Sequence, residues 1–103
     1  MWSITKPHVV QLSIMMVRVT KLVMLTPIQL RMARVAAGWS RQKLAKASKT
    51  SADTITDFEV RGSNPKLLTV MAWRRALEKA GIVFIEPDDQ MGPGVRLQEG
   101  RKT

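Results

Sequence analysis

Six basic side chains, Arg31, Arg34, Arg41, Lys43, Lys46 and Lys49, fall within nineteen residues, and no acidic residue interrupts them. A solvated surface usually mixes both signs, so a run of one sign points to a polyanionic partner. Other chemistry has few parts to work with. His8 is the single histidine, Cys and Tyr are absent, and no carboxylate pair or nucleophile–base set is visible. Thiolate metal sites and disulfide scaffolds are excluded by the same composition. The expectation is therefore a binding protein and not an enzyme, with no catalytic residue, no metal and no cofactor.

The charge is localised. The chain holds 17 Lys and Arg against 8 Asp and Glu, a formal net charge of +9 over 103 residues. Segment 24–85 carries +7 of that excess, segment 1–23 carries +3, and the tail 86–103 carries −1. A chain of this length builds one domain with one modest core.

These cations must be held by short elements, and the local signals are clear from Leu25 onward. Thr26 is a good N-cap, Pro27 suits the first helical position, and Gln29 completes a capping box three residues after Thr26. Leu25 and Leu30 fall where a hydrophobic staple would clasp. The helix these cues predict runs from Pro27 to Ala37 and stops at Gly38. Ser40 caps a second helix, through about Ala47, with Leu44 and Ala45 facing inward. Ser51 caps a third, through about Glu59, with Ile55 and Phe58 one turn apart on its buried side. Ser48-Lys49-Thr50 leaves room only for a turn. Asn64 is expected to cap, and Pro65 to open, a fourth helix whose core stripe is Val70, Trp73, Leu77 and Ala80, ending at Gly81. Beyond it Ile82–Ile85 and Val95–Leu97 read as two short strands around a turn-rich Pro87–Gly94.

Residues 1–23 form a separate segment. Val9, Val10, Leu12, Ile14, Met15, Met16, Val17 and Val19 make an apolar stretch broken by Gln11, Ser13 and Arg18. It is too short and too interrupted for a membrane span, which needs about 20 apolar residues. It also lacks the cleavage site of a signal peptide. Two readings remain, an added strand or helix, or an extension upstream of a natural start at Met24, and the second is preferred.

Arg41 to Val60 carries what a two-helix reading motif needs. Small Ala45 lets the helices cross closely, Leu44, Ile55 and Phe58 fix the crossing, and a turn of three to four residues joins them. Together with Arg34-Val-Ala-Ala-Gly-Trp-Ser40, Leu44-Ala45, Ser51, Thr54-Ile55, Asp57-Phe58-Glu59 and Pro65, this run resembles the lambda repressor and Cro family of helix-turn-helix proteins, in the form of small bacterial regulators. The resemblance covers Leu25 to Gly81 and, more loosely, Ile82–Ile85 and Gly92–Leu97. It implies a mainly α, compact four-helix helix-turn-helix domain with a short C-terminal β-hairpin or extended arm. The chain then divides into an extension (1–23), a DNA-binding domain (24–81, motif 41–60) and a C-terminal hairpin and tail (82–103). Three positions depart from the family pattern. Its turn glycine falls on Lys49, its usual Gln at the start of the second helix is Arg41, and the glycine expected after Glu59 comes one position late, at Gly62.

By the same resemblance, Ser51, Ala52, Asp53, Thr56 and Asp57 face the bases of a major groove and Arg41 touches phosphate or the outer base; from the basic run, Lys43 and Lys46 are expected to face phosphate with it. An Asp can accept from cytosine N4, although Asp53 is equally suited to the positive end of its helix dipole. Arg34 and Glu59 are expected to form an ion pair, because the family joins these two elements. Glu59 sits near the negative end of its helix, where an unpaired acid is disfavoured, and the forked head of Arg34 can grip a carboxylate with two bonds. The implied function is a sequence-specific double-stranded DNA-binding regulator, a repressor, acting as a homodimer in the bacterial cytoplasm at the nucleoid. An antitoxin of a toxin–antitoxin pair would use the same fold, with the acidic Glu86–Asp89 loop or the extension as its protein-partner surface. A membrane-surface role for the basic, apolar N-terminus is the third alternative, tested by liposome flotation, and no membrane partner is expected.

Deleting residues 1–23 checks the extension reading. A chain beginning at Met24 keeps the staple, the capping box and all four helices, and should fold and bind DNA as the full chain does. Aggregation or a much lower melting temperature would mean that Val9–Val19 packs on the domain.

Overall fold

The computed structural model of the chain describes residues 25–99, so the apolar stretch Val9–Val19 and the start at Met24 lie outside the described residues. Helix α1 spans Pro27–Ala37. The Thr26 hydroxyl accepts from the Gln29 N–H at 3.1 Å, and Gln29 Oε1 accepts from the Thr26 N–H at 3.4 Å, so the capping box is closed. Both staple leucines, Leu25 and Leu30, are buried. Gly38 ends the helix in the left-handed region at φ 74°, with its N–H directed to the Arg34 and Val35 carbonyls.

Helix α2 spans Arg41–Ser48 and α3 spans Ala52–Thr56. The caps are Ser40, whose Oγ accepts from the Lys43 N–H at 3.0 Å, and Ser51, whose Oγ accepts from the Asp53 N–H at 3.1 Å. The α3 segment does not end at Glu59. It continues as a π-helical turn, Asp57–Arg61, and stops at Gly62 with φ 67°. The wider turn accommodates one extra residue before the left-handed stop, which accounts for Gly62 standing one position beyond the family's glycine.

Helix α4 spans Leu67–Lys79. The start expected at Asn64-Pro65 is corrected here. Lys66 is the N-cap, in an extended conformation and without a side-chain cap bond, and residues 62–66 form no helix. Pro65 after Asn64 satisfies the same start rule as Pro27 after Thr26, yet the first helical residue is Leu67, two positions later. Strands β1 (Ile82–Ile85) and β2 (Gly94–Leu97) pair antiparallel, with Ile82 opposite Leu97 and Ile85 opposite Gly94. The Asp88 carboxylate accepts from the Gln90 and Met91 N–H groups in the connecting turn at 2.8 and 2.7 Å, and these bonds hold its pKa below the ordinary value.

One core joins all of these elements. Leu30 and Ala33 of α1, Leu44 and Ala45 of α2, Ile55 and Phe58, Val70, Trp73 and Leu77 of α4, and Ile82 and Phe84 of β1 form a single buried cluster. Trp73 is fully buried, and its ring lies 5.4 Å from that of Phe58, tilted by 41°. A two-stranded hairpin is marginal alone, and this one is anchored on the helices. Gln29, buried, donates from Nε2 to the Ile85 and Gly94 carbonyls at 3.2 and 3.0 Å. One side chain thus caps α1 and ties down the hairpin.

Lys49 closes α2 in the left-handed region, at φ 58° and ψ 43°, and it is the one non-glycine residue with positive φ among the described residues. A β-carbon in that conformation costs on the order of 1 kcal/mol. Lys49→Gly should therefore raise the melting temperature by several degrees, as read by circular dichroism. A lower value would show that the lysine side chain contributes more than its backbone strain removes.

Candidate nucleic-acid interface

The turn between α2 and α3 is fixed from within. Thr50 Oγ1 accepts from the Trp73 indole N–H at 2.9 Å and bonds to Ser48 Oγ at 2.8 Å, while Ser48 Oγ donates back to the Leu44 carbonyl at 2.7 Å. A core tryptophan therefore sets the position of the turn. Ala45 is buried where α3 passes, and Leu44 and Ile55 are fully buried on either side of the crossing. The two short helices are held at one angle by apolar contact and by this polar latch.

The C-terminal end of the reading unit is held by charge. The Glu59 side chain is 0% exposed. Its Oε2 accepts from Arg34 Nε at 2.9 Å, and its Oε1 accepts from Arg34 Nη2 at 3.0 Å and Arg41 Nε at 3.1 Å. Arg34 also donates from Nη1 to the Trp39 carbonyl at 2.9 Å. One carboxylate thus binds α1, α2 and the π-turn together. The bidentate fork supplies geometry as well as energy.

This arrangement redistributes the basic run. Arg34 is an ion-pair residue, and Arg41, read from the sequence as phosphate-facing, has its Nε on Glu59 and a side chain only 32% exposed. Arg31, Lys43, Lys46 and Lys49 are left without an ion pair among the described residues. Lys43 Nζ lies 5.7 Å from the centre of the Trp39 ring, a cation–π contact that limits where the ammonium can reach.

The positions read as base-facing are not equivalent. Ser51, Asp53 and Asp57 are exposed. Thr56 is half-buried, and its hydroxyl donates to the Ala52 carbonyl at 3.0 Å, which leaves the oxygen free to accept. Ala52 is also half-buried and packs against the core, so only part of its methyl group faces outward. Asp57 lies 3.7 Å from Arg61, an exposed pair separated by one turn.

Sequence reasoning missed the Arg41–Glu59 bond, the Trp73–Thr50 latch and the π-turn. The late glycine signalled the last, whereas the basic run hid the first. Nothing in the sequence pattern signalled the latch. No group of three or more candidate metal-ligating side chains occurs among the described residues, and no helix there is long and apolar enough to cross a membrane.

A family model described as helix-turn-helix matches residues 30–81, half of the chain. The matched span covers α1 from Leu30, the reading unit and α4. No curated protein matches the chain.

Removing one partner of a buried pair leaves the other uncompensated, at about 3–5 kcal/mol, whereas a screened surface pair is worth below about 1 kcal/mol. With Arg34 13% exposed and Glu59 closed to solvent, the larger figure applies. A double-mutant cycle in urea on Arg34→Met and Glu59→Gln should return strong coupling, and additive effects would contradict the geometry. Arg41→Met should cost less than Arg34→Met, because the side chain of Arg41 is partly exposed and makes one of the three bonds.

Proposed function

The chain belongs to the helix-turn-helix family of the lambda repressor/Cro type, and from that premise we propose that it is a sequence-specific double-stranded DNA-binding transcriptional repressor acting as a homodimer in the bacterial cytoplasm. The observation that carries the reading is the pairing of two surfaces. The unpaired cations Lys43 and Lys46 stand on α2, and Ser51, Asp53, Thr56 and Asp57 stand on the adjoining edge of α3 and its π-turn.

The two surfaces do different work. Lys43 and Lys46 neutralise phosphate, and this sequence-independent attraction supplies most of the affinity. Asp53 and Asp57 lower that attraction, since each repels phosphate when misplaced. Their contribution is selection, because a carboxylate is accepted where it meets a cytosine N4 donor. Thr56 offers its oxygen as an acceptor, Ala52 a methyl edge for apolar contact with thymine, and Ser51 a capping hydroxyl beside the groove. Arg41 acts mainly through Glu59 by holding the reading unit in place.

Measured affinity against salt separates these roles. Each phosphate neutralised contributes about 0.9 to the slope of log K against log[salt], so Lys43→Ala with Lys46→Ala should flatten it by about 2. An unchanged slope would remove α2 from the interface. Asp57→Ala should leave the slope almost as it was and change the consensus selected from a random duplex library. The same consensus before and after would take Asp57 out of base recognition.

A further inference from the structure

A cavity of about 240 Å³ lies between the start of α1, the middle of α4 and the turn end of the hairpin. Its walls are largely apolar. Leu25 and Phe84 are buried there, and Ile85 and Pro93 close the hairpin side. Gln29 stands in the same lining, but its polar atoms are already used. Nε2 donates to the Ile85 and Gly94 carbonyls, and Oε1 accepts from the Thr26 N–H.

Arg74 is the one cation in the lining, and its side chain is only 12% exposed. Its guanidinium carbon lies 4.8 Å from the centre of the Phe84 ring. Nε is 3.3 Å from Glu78, an exposed carboxylate one turn further along α4. The two terminal nitrogens have no hydrogen-bond or ion-pair partner among the described residues. Glu86 also lines the cavity, but it is exposed and makes no ion pair with Arg74. A largely buried fork of N–H donors is thus left open beside an apolar space.

Such a fork matches a carboxylate through two parallel bonds, and apolar walls suit an apolar body. A phosphate group is less well matched. It carries up to about two charges and three acceptor oxygens, whereas one guanidinium faces it and Glu86 repels it. The volume equals that of about eight waters at roughly 30 Å³ each, room for a ligand of about ten non-hydrogen atoms. The residues before Leu25 contain no Asp or Glu, so they have no carboxylate side chain to offer Arg74.

We infer that this cavity binds a small apolar monocarboxylate, with its carboxylate on Nη1 and Nη2 of Arg74 and its hydrocarbon against Phe84 and Leu25. The site stands apart from the DNA reading, because α2, α3 and the π-turn contribute nothing to its lining.

The test uses the full isotope-labelled chain, with phenylacetate as the probe and phenylacetamide as a neutral counterpart of the same size. Phenylacetate should bind with a Kd of about 1 mM or below, the scale open to about ten non-hydrogen atoms. It should shift the NMR signals of the Gln29 side-chain amide and the Ile85 N–H. Phenylacetamide should bind roughly tenfold more weakly, since it offers the fork one oxygen and no charge. Arg74→Met keeps an apolar stem and should lower phenylacetate to the affinity of the amide. The amide's own affinity should stay unchanged, which would show that the cavity is intact. If that variant does not fold, the difference between acid and amide in the unchanged chain still decides. Equal affinity for the two probes, phenylacetate binding that survives Arg74→Met, or shifts confined to the lysines of α2 would overturn the proposal. So would the lack of any shift at about 10 mM phenylacetate, well above the expected Kd.

Discussion

Glu59 is a charged side chain closed to solvent, and its burial is tolerable only because three N–H groups converge on its two oxygens. An unpaired carboxylate in that place would cost several kcal/mol. The constraint therefore acts on the whole domain. Arg34 must come from the end of α1, Arg41 from the start of α2, and the carboxylate from the turn after α3. Any shift of one element by a helical turn would break the set. Burial of a pair like this contributes little net stability compared with an apolar replacement. What it fixes is relative position, which apolar contact alone leaves slack.

The π-turn is the backbone counterpart of that constraint. Phe58 must reach the core, where its ring meets Trp73, and Glu59, the next residue, must reach the two arginines. Asp57, just before them, faces solvent. Three consecutive side chains with three different destinations are easier to place on a widened turn than on a straight helix, and such turns collect at functional sites. The extra residue is then absorbed before Gly62. At the other end of the unit, the strained backbone of Lys49 and the Trp73–Thr50 bond set the turn. The reading surface is therefore braced at both ends by groups that do not belong to it.

Much of this was legible in the residues. The capping box at Thr26 and Gln29, the serine caps and the left-handed stops are local, and local signals survive folding because the atoms that satisfy them are close in sequence. The apolar spacing of α4 predicted its buried face for the same reason. Long-range polar partners were harder. The family resemblance proposed Arg34 with Glu59, but the basic run concealed that Arg41 joins them, since a sequence shows a charge and not its partner. Asn64 and Pro65 carry the same local start signal as Thr26 and Pro27, yet α4 begins after Lys66, so that signal marks where a helix can start and not where it must. Trp73 looked like a core residue, and its indole N–H, which every buried tryptophan must satisfy, found Thr50 at a distance no periodicity encodes.

The division of charge follows from this brace. The chain carries an excess of cations, yet Arg34 and Arg41 are engaged by Glu59, and the surface beside them keeps two aspartates. A protein selected only for affinity would place free cations there, since each phosphate contact strengthens binding to any sequence equally. Specificity is the difference between sites, and it grows when wrong sites are penalised. On the proposed reading Asp53 and Asp57 supply that penalty, and Lys43 and Lys46, one helix away, restore the lost attraction. Because the two groups sit on different helices, the penalty is useful only if those helices cannot move relative to each other. A carboxylate displaced by about 1 Å no longer discriminates a donor at hydrogen-bond distance from an acceptor beside it. On that reading the buried Glu59, which itself faces no base, serves the exposed acids by fixing the elements that carry them.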